Sequence, residues 1–185
     1  MESTVKKLVY HKGAEALELP LAWQGTSSTL ECYHLSRQDG CSMVAVSFVG
    51  LTPEEAEDAL LLCGYLTQAS SPPGEVLPIV DIPTPRMLDR LADCGVTALC
   101  LARRAEAIPS LLASERSESI ASVLERTCPL LSARLVTGCQ LLVCEGYRGR
   151  MVLGGTRLDR LCLGGDYKEC SIWNSPKIGP SGQES

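Results

Sequence analysis

The chain is poor in aromatic residues and in histidine. One phenylalanine, two tryptophans and five tyrosines make up 4% of its 185 residues, so Leu, Ile, Val and Ala must build the core. A platform for single-stranded nucleic acid needs several aromatics on one strand face with basic residues between them. Only Tyr147 beside Arg148 and Arg150 comes near that pattern, which argues against nucleic acid as a partner. The two histidines, His11 and His34, leave little room for a histidine metal site or a catalytic triad. No run of about 18 uninterrupted apolar residues exists to span a membrane. The start Met1-Glu2-Ser3-Thr4-Val5-Lys6-Lys7 lacks the basic-then-apolar pattern of a secretory leader. Together these absences point to a cytoplasmic protein.

Two further motifs are missing. No short Cys-x2-4-Cys knuckle with a second pair is present, so a zinc site is not expected. The pairs Gly154-Gly155 and Gly164-Gly165 lack the lysine of a P-loop and the spacing of a dinucleotide fingerprint, and they read as turns. No cofactor is implied.

What is abundant is apolar residues, 45% of the chain, and ten cysteines. In an oxidising compartment these would permit five disulfides. Most of them, such as Cys63 and Cys100, stand inside leucine-rich stretches, where a reduced thiol packs as a small hydrophobe. Cys128, before Pro129, is placed to start a helix and to be the most acidic thiol, since a helix N-terminus favours thiolate. Cys41 follows the Asp39-Gly40 turn and reads as an exposed thiol. Cys162 and Cys170 are close enough along the chain to meet in space.

The net charge of -5 is unevenly spread. Residues 1–95 hold 13 acids and 6 bases, net -7, and residues 96–185 hold 9 acids and 11 bases, net +2. Arg148, Arg150, Arg157, Arg160 and Lys168 can attract a small anionic ligand or an acidic partner. A solvated basic surface accounts for the same residues.

Patterning predicts an α/β protein, with α+β as the alternative: a mixed sheet, an N-terminal antiparallel hairpin, a central βαβ unit, packed helices and a C-terminal hairpin. The hairpin is read from alternation over Thr29–Ser36, the Asp39-Gly40 turn and a returning strand over Ser42–Val49. Thr52-Pro53-Glu54-Glu55 is a capping box with proline at the first helical position, and it opens a helix over 53–68. Ala69 to Gly74 reads as a loop able to join two halves of one compact domain, residues 1–173. Val76–Ile82, the Thr84-Pro85 cap, a helix to Cys94, Gly95 and Val96–Ala102 form the βαβ unit. Residues 103–129 read as helical, Leu130–Val136 as a short helix, and Gln140–Cys144 with Met151–Leu153 as the second hairpin. Residues 174–185 read as a flexible tail.

Asp81 falls at the carboxyl end of a strand, where open α/β sheets gather ligands, followed by Thr84 at a helix start. An acid, a hydroxyl and helix amides can hold a polar ligand; shaping the turn is the plainer role. With so few convergent chemical groups, the expected function is non-enzymatic: a protein-binding, adaptor or assembly subunit, or homodimer, working through an apolar helix face or a sheet edge. The alternative is a small cytosolic enzyme or ligand-binding regulatory domain whose anion site uses Asp81, Thr84, Arg148, Arg150, Arg157 and Arg160.

Overall fold

The computed structural model describes residues 6–14, 17–38, 41–69, 72–114, 116–136, 139–146 and 151–175. The chain divides into two compact units, Met1–Ile82 with Asp89–Ile120, and Pro83–Leu88 with Ala121–Ser185. The mixed α/β class holds.

In the first unit a six-stranded sheet runs in the order β2-β1-β3-β4-β5-β6. Its strands are β1 (Lys6–Tyr10), β2 (Trp23–Thr26), β3 (Cys41–Ser47), β4 (Glu75–Val80), β5 (Ala98–Leu101) and β6 (Glu118–Ser119). The first five pair in parallel and β6 is antiparallel. Helices α1 (Thr29–Ser36), α2 (Pro53–Thr67) and α3 (Pro85–Asp93) connect β2 to β3, β3 to β4 and β4 to β5. Parallel strands covered on both faces carry near-continuous apolar runs, and Val44, Ala45 and Val46 of β3 and Ile79 and Val80 of β4 are fully buried. One core cluster gathers Val9, Trp23, Ala45, Leu77, Ile79 and Ile108.

The predicted helix over 53–68 is α2, with both halves of its capping box in place. Glu55 N–H donates to Thr52 Oγ1 at 3.3 Å, and Thr52 N–H donates to Glu55 Oε2 at 2.9 Å. The βαβ unit is also present. Thr84 Oγ1 accepts from Met87 N–H at 3.4 Å, and Gly95 leaves α3 with a φ of 85°, a left-handed turn that suits glycine. Leu88 and Leu91 are buried as expected, whereas Ala92 is exposed.

The stretch read as the first strand of an N-terminal hairpin is helix α1. Ser28 Oγ accepts from Glu31 N–H at 3.3 Å and caps it, and a capped turn here outweighs a short alternation that fits either period. The returning strand is present as β3, paired in parallel with β1 and β4; the Asp39-Gly40 turn lies outside the described residues. Trp23–Thr26 is the edge strand β2. The loop over 69–74 joins α2 to β4 inside the first unit, and a Cβ on Gly74 would lie 2.6 Å from the Ser42 carbonyl oxygen.

The helix expected over 103–129 is divided. A 3-10 turn (Ala105–Ala107) leads into α4 (Ile108–Ser114), β6 intervenes, and α5 (Ile120–Arg126) follows. In the second unit β7 (Leu131–Val136), β8 (Cys139–Cys144) and β9 (Met151–Val152) form an antiparallel sheet, so the C-terminal hairpin is found. Leu130–Val136 is a strand rather than a short helix, because its register against β8 satisfies its backbone groups. After β9, α6 (Gly155–Arg157) runs into a π-helical turn (Leu158–Cys162), and a 3-10 turn spans Asp166–Glu169. Of the expected tail, residues 176–185 lie outside the described residues. Among those described, no helix is long and apolar enough to cross a membrane.

Candidate functional site

Parallel strands bring their carboxyl ends to one edge of a sheet, and ligands collect where successive connections depart in opposite directions. In the order β2-β1-β3 that point lies between β1 and β3. His11 follows β1 and Ser47 ends β3, with His11 Nδ1 3.1 Å from Ser47 Oγ. Val49 N–H donates to the same Oγ at 3.3 Å, so the serine hydroxyl is shared between the imidazole ring and the backbone. Burial lowers the histidine's pKa, which favours the neutral ring. Ser47 has no exposed surface. A serine in that position has no access to a substrate, so the pair ties β1 to β3 instead of forming a nucleophile and its base. Sequence reasoning passed over both residues because each is a single polar group at the end of an apolar run.

Asp81 lies just beyond β4. Its Oδ1 accepts from Ile82 N–H at 2.7 Å. Burial raises its pKa, against the lowering effect of backbone amides of Ile82, Asp81 and Gly50 and of the Arg103 charge. These donors occupy the carboxylate and shape the turn. Thr84, nearly buried, caps α3. Arg157 and Arg160 belong to the second unit, as does Thr84, whereas Asp81 belongs to the first; both arginines are exposed. Arg160 faces Asp166 at 3.7 Å and Glu169 at 3.5 Å, and Arg157 lies 3.9 Å from Met151 Sδ. Arg148 and Arg150 lie outside the described residues, as does Tyr147.

A larger feature lies on the first unit. Between α1 and α2 runs a groove of about 380 Å³, lined by Leu30 and Tyr33 from α1 and by Asp58, Leu61 and Tyr65 from α2. Leu30, Leu61 and Tyr65 are 65%, 56% and 63% exposed. The rings of Tyr33 and Tyr65 meet edge to face, 6.3 Å between centroids, and Arg37 lies over Tyr33 at 5.6 Å while donating to its hydroxyl at 3.2 Å. The spacing i, i+3 on α1 and i, i+4 on α2 gives each helix an outward apolar stripe. The signal was present in the sequence: Leu60-Leu61-Leu62 spans about 200° of a helix, too wide an arc for all three to face the sheet. Leu60 and Leu62 are buried, and Leu61 is left outside.

The cysteines fall into two groups. In the first unit Cys32, Cys63 and Cys100 are buried, and burial pushes their thiols up, Cys32 to about 12 and Cys100 to about 11. Cys41 is half-buried rather than exposed, and burial raises its thiol too. In the second unit Cys128, Cys144, Cys162 and Cys170 line one small cavity of about 10 Å³. Here Cys128 is lowered by a hydrogen bond from the Cys162 thiol, against burial, with help from the amides of Leu130 and Leu131. Cys162 is raised by that same bond. For Cys170 burial acts upward, but the amides of Trp173 and Ile172 and the Arg157 guanidinium bring it down. Cys128 stands in a turn before β7 and not at the helix start that the sequence suggested. Among the described residues no group of three or more His, Cys, Asp or Glu side chains is arranged to hold a metal ion.

No family model matches the chain, and neither the curated proteins nor the solved structures include a significant match.

Proposed function

We propose that this protein is a non-enzymatic protein-binding module whose groove between α1 and α2 receives an amphipathic helix of a partner protein carrying basic residues. The observation that carries the reading is the pair of outward apolar stripes, with Leu30, Leu61 and Tyr65 each more than half exposed around one groove. Covering a side chain of this size contributes about 1.5–3 kcal/mol, and a helix laid in a groove does so with anchors at i, i+3 or i+4, and i+7. Charge selects the partner's other face. Asp58 lines the groove, Glu54 stands exposed on the same helix, and residues 1–95 carry a net -7. Lysine or arginine beside the apolar anchors complements that field. An adaptor or assembly role follows from such a surface.

Selection from a displayed library of helical peptides, with the full-length chain as bait, tests this. The expected winners carry leucine or aromatic anchors at helical spacing with flanking Lys or Arg, and Leu61→Asp weakens them about tenfold or more, a loss of about 1.4 kcal/mol. Leu61 is exposed, so the variant keeps its fold, which circular dichroism checks. Winners insensitive to Leu61→Asp, or winners with acidic flanks, overturn the proposal. Concentration-dependent self-association abolished by Leu61→Asp also overturns it, because the occupant is then a second copy of this chain.

A further inference from the structure

α1 runs from β2 to β3 and α2 from β3 to β4, and these three strands are parallel. A helix that carries the chain back to the start of the next parallel strand runs against the strand direction. The two helices therefore run the same way, amino end beside amino end. Side chains along the groove keep that order. Leu30 stands one turn before Tyr33 and Leu61 one turn before Tyr65, and the two rings meet at 6.3 Å between centroids.

A groove between parallel helices has two unlike ends. At its amino end Asp58 stands one turn before Leu61 and lines the groove, and exposed Glu54 is one turn further out. Lys12 lies at this end as well, where it is paired with Glu55 at 3.1 Å, the acid of the capping box. Each helix dipole adds about half a positive charge here, and the side chains of Ser28 and Thr52 already cap both amino ends. The exposed carboxylates therefore set the sign. At the carboxyl end the sign is opposite. Arg37, one turn after Tyr33, is exposed and lies over that ring, while the last turn of α2, residues 64–67, has no charged side chain.

We propose that the groove is directional: the partner helix lies antiparallel to α1 and α2, with basic residues of its last turn against Asp58 and Glu54. This rests on the reading of the groove as a helix-binding site. A helix carries Lys and Arg most favourably in its last turn, where its own dipole is negative. The acids that attract them stand at the amino end of the groove, so the partner's carboxyl end belongs there. In that orientation its dipole also opposes those of α1 and α2. Laid the other way, the same helix sets its basic turn on Arg37, like charge on like charge, and leaves Asp58 facing its positive amino end. Direction is thus selected by repulsion as well as attraction.

The probe is a blocked model helix of about 16 residues, long enough to hold some helix in water. It has leucines at i, i+3, i+4 and i+7, lysines in its last turn, and alanine and glutamine elsewhere. Bound to the full-length chain, it carries a benzophenone at one end or the other, and irradiation followed by tandem mass spectrometry locates the attachment. The carboxyl-end label is expected within residues 28–30 or 52–58, and the amino-end label within 33–37 or 65–68. Asp58→Asn weakens binding about two- to fivefold, the scale of an exposed ion pair, and Arg37→Gln does not weaken it. Exchanged labels overturn the direction, as do binding tightened by Arg37→Gln and binding indifferent to Asp58→Asn. If Leu61→Asp still weakens the peptide in those cases, the groove itself stands as the binding site. Labels outside α1 and α2, or no binding at all, overturn the groove reading and the direction with it.

Discussion

His11 enters the folded protein with its Nδ1 occupied by the Ser47 hydroxyl and with burial holding its pKa below the usual value. The unfolded chain, with histidine near pH 6.5, therefore binds a proton that the folded chain resists. Stability from this residue is complete above about pH 6.5 and is lost as pH falls toward the folded value. The urea midpoint is expected to fall between about pH 7.5 and pH 5.5, and His11→Gln to flatten that slope; an unchanged slope in the variant refutes the assignment. The residue scale was only partly legible in the sequence. Cys128 stood out because a proline follows it, but the helix start that the local sequence implied is a turn before β7. The His11–Ser47 pair was invisible, because the two residues are 36 positions apart and meet only when β1 and β3 lie side by side.

Elements whose ends carry their own chemistry were the most legible. The capping box of α2 satisfies two backbone donors within four consecutive residues, and Thr84 with Gly95 brackets α3 in the same local way. Thr52→Ala is expected to cost about 1 kcal/mol, up to about 2, read as a lowered denaturation midpoint with the fold retained. No loss of midpoint would mean that packing alone holds the helix start. Short stretches without such signals were misread. Thr29–Ser36 alternates weakly enough to suit a strand, yet Ser28 caps it as a helix. Leu130–Val136 has helix-forming residues, yet pairing with β8 makes it a strand. In both cases a backbone group found its partner outside the window that the pattern covered.

The whole molecule rests on a parallel sheet in which β4 lies between β3 and β5. Ile79, fully buried on β4, packs in the cluster that draws on β1, β2, β3 and α4. Ile79→Ala is expected to cost about 2–5 kcal/mol, a large part of the roughly 5–15 kcal/mol that keeps a domain folded, and guanidinium unfolding measures it. A cost under about 1 kcal/mol would mean that the site collapses around the smaller side chain. The sequence by itself determined the α/β class, helices α2 and α3, the βαβ unit around α3 and the acidic first half, because propensity, caps and charge are properties of short stretches. The tertiary structure alone decided the strand order, the joining of His11 to Ser47, which of Leu60, Leu61 and Leu62 is left outside, and the gathering of Cys128, Cys144, Cys162 and Cys170 around one small cavity. Each of these depends on segments far apart in the chain being packed together, and no local pattern of residues encodes which distant segment will arrive.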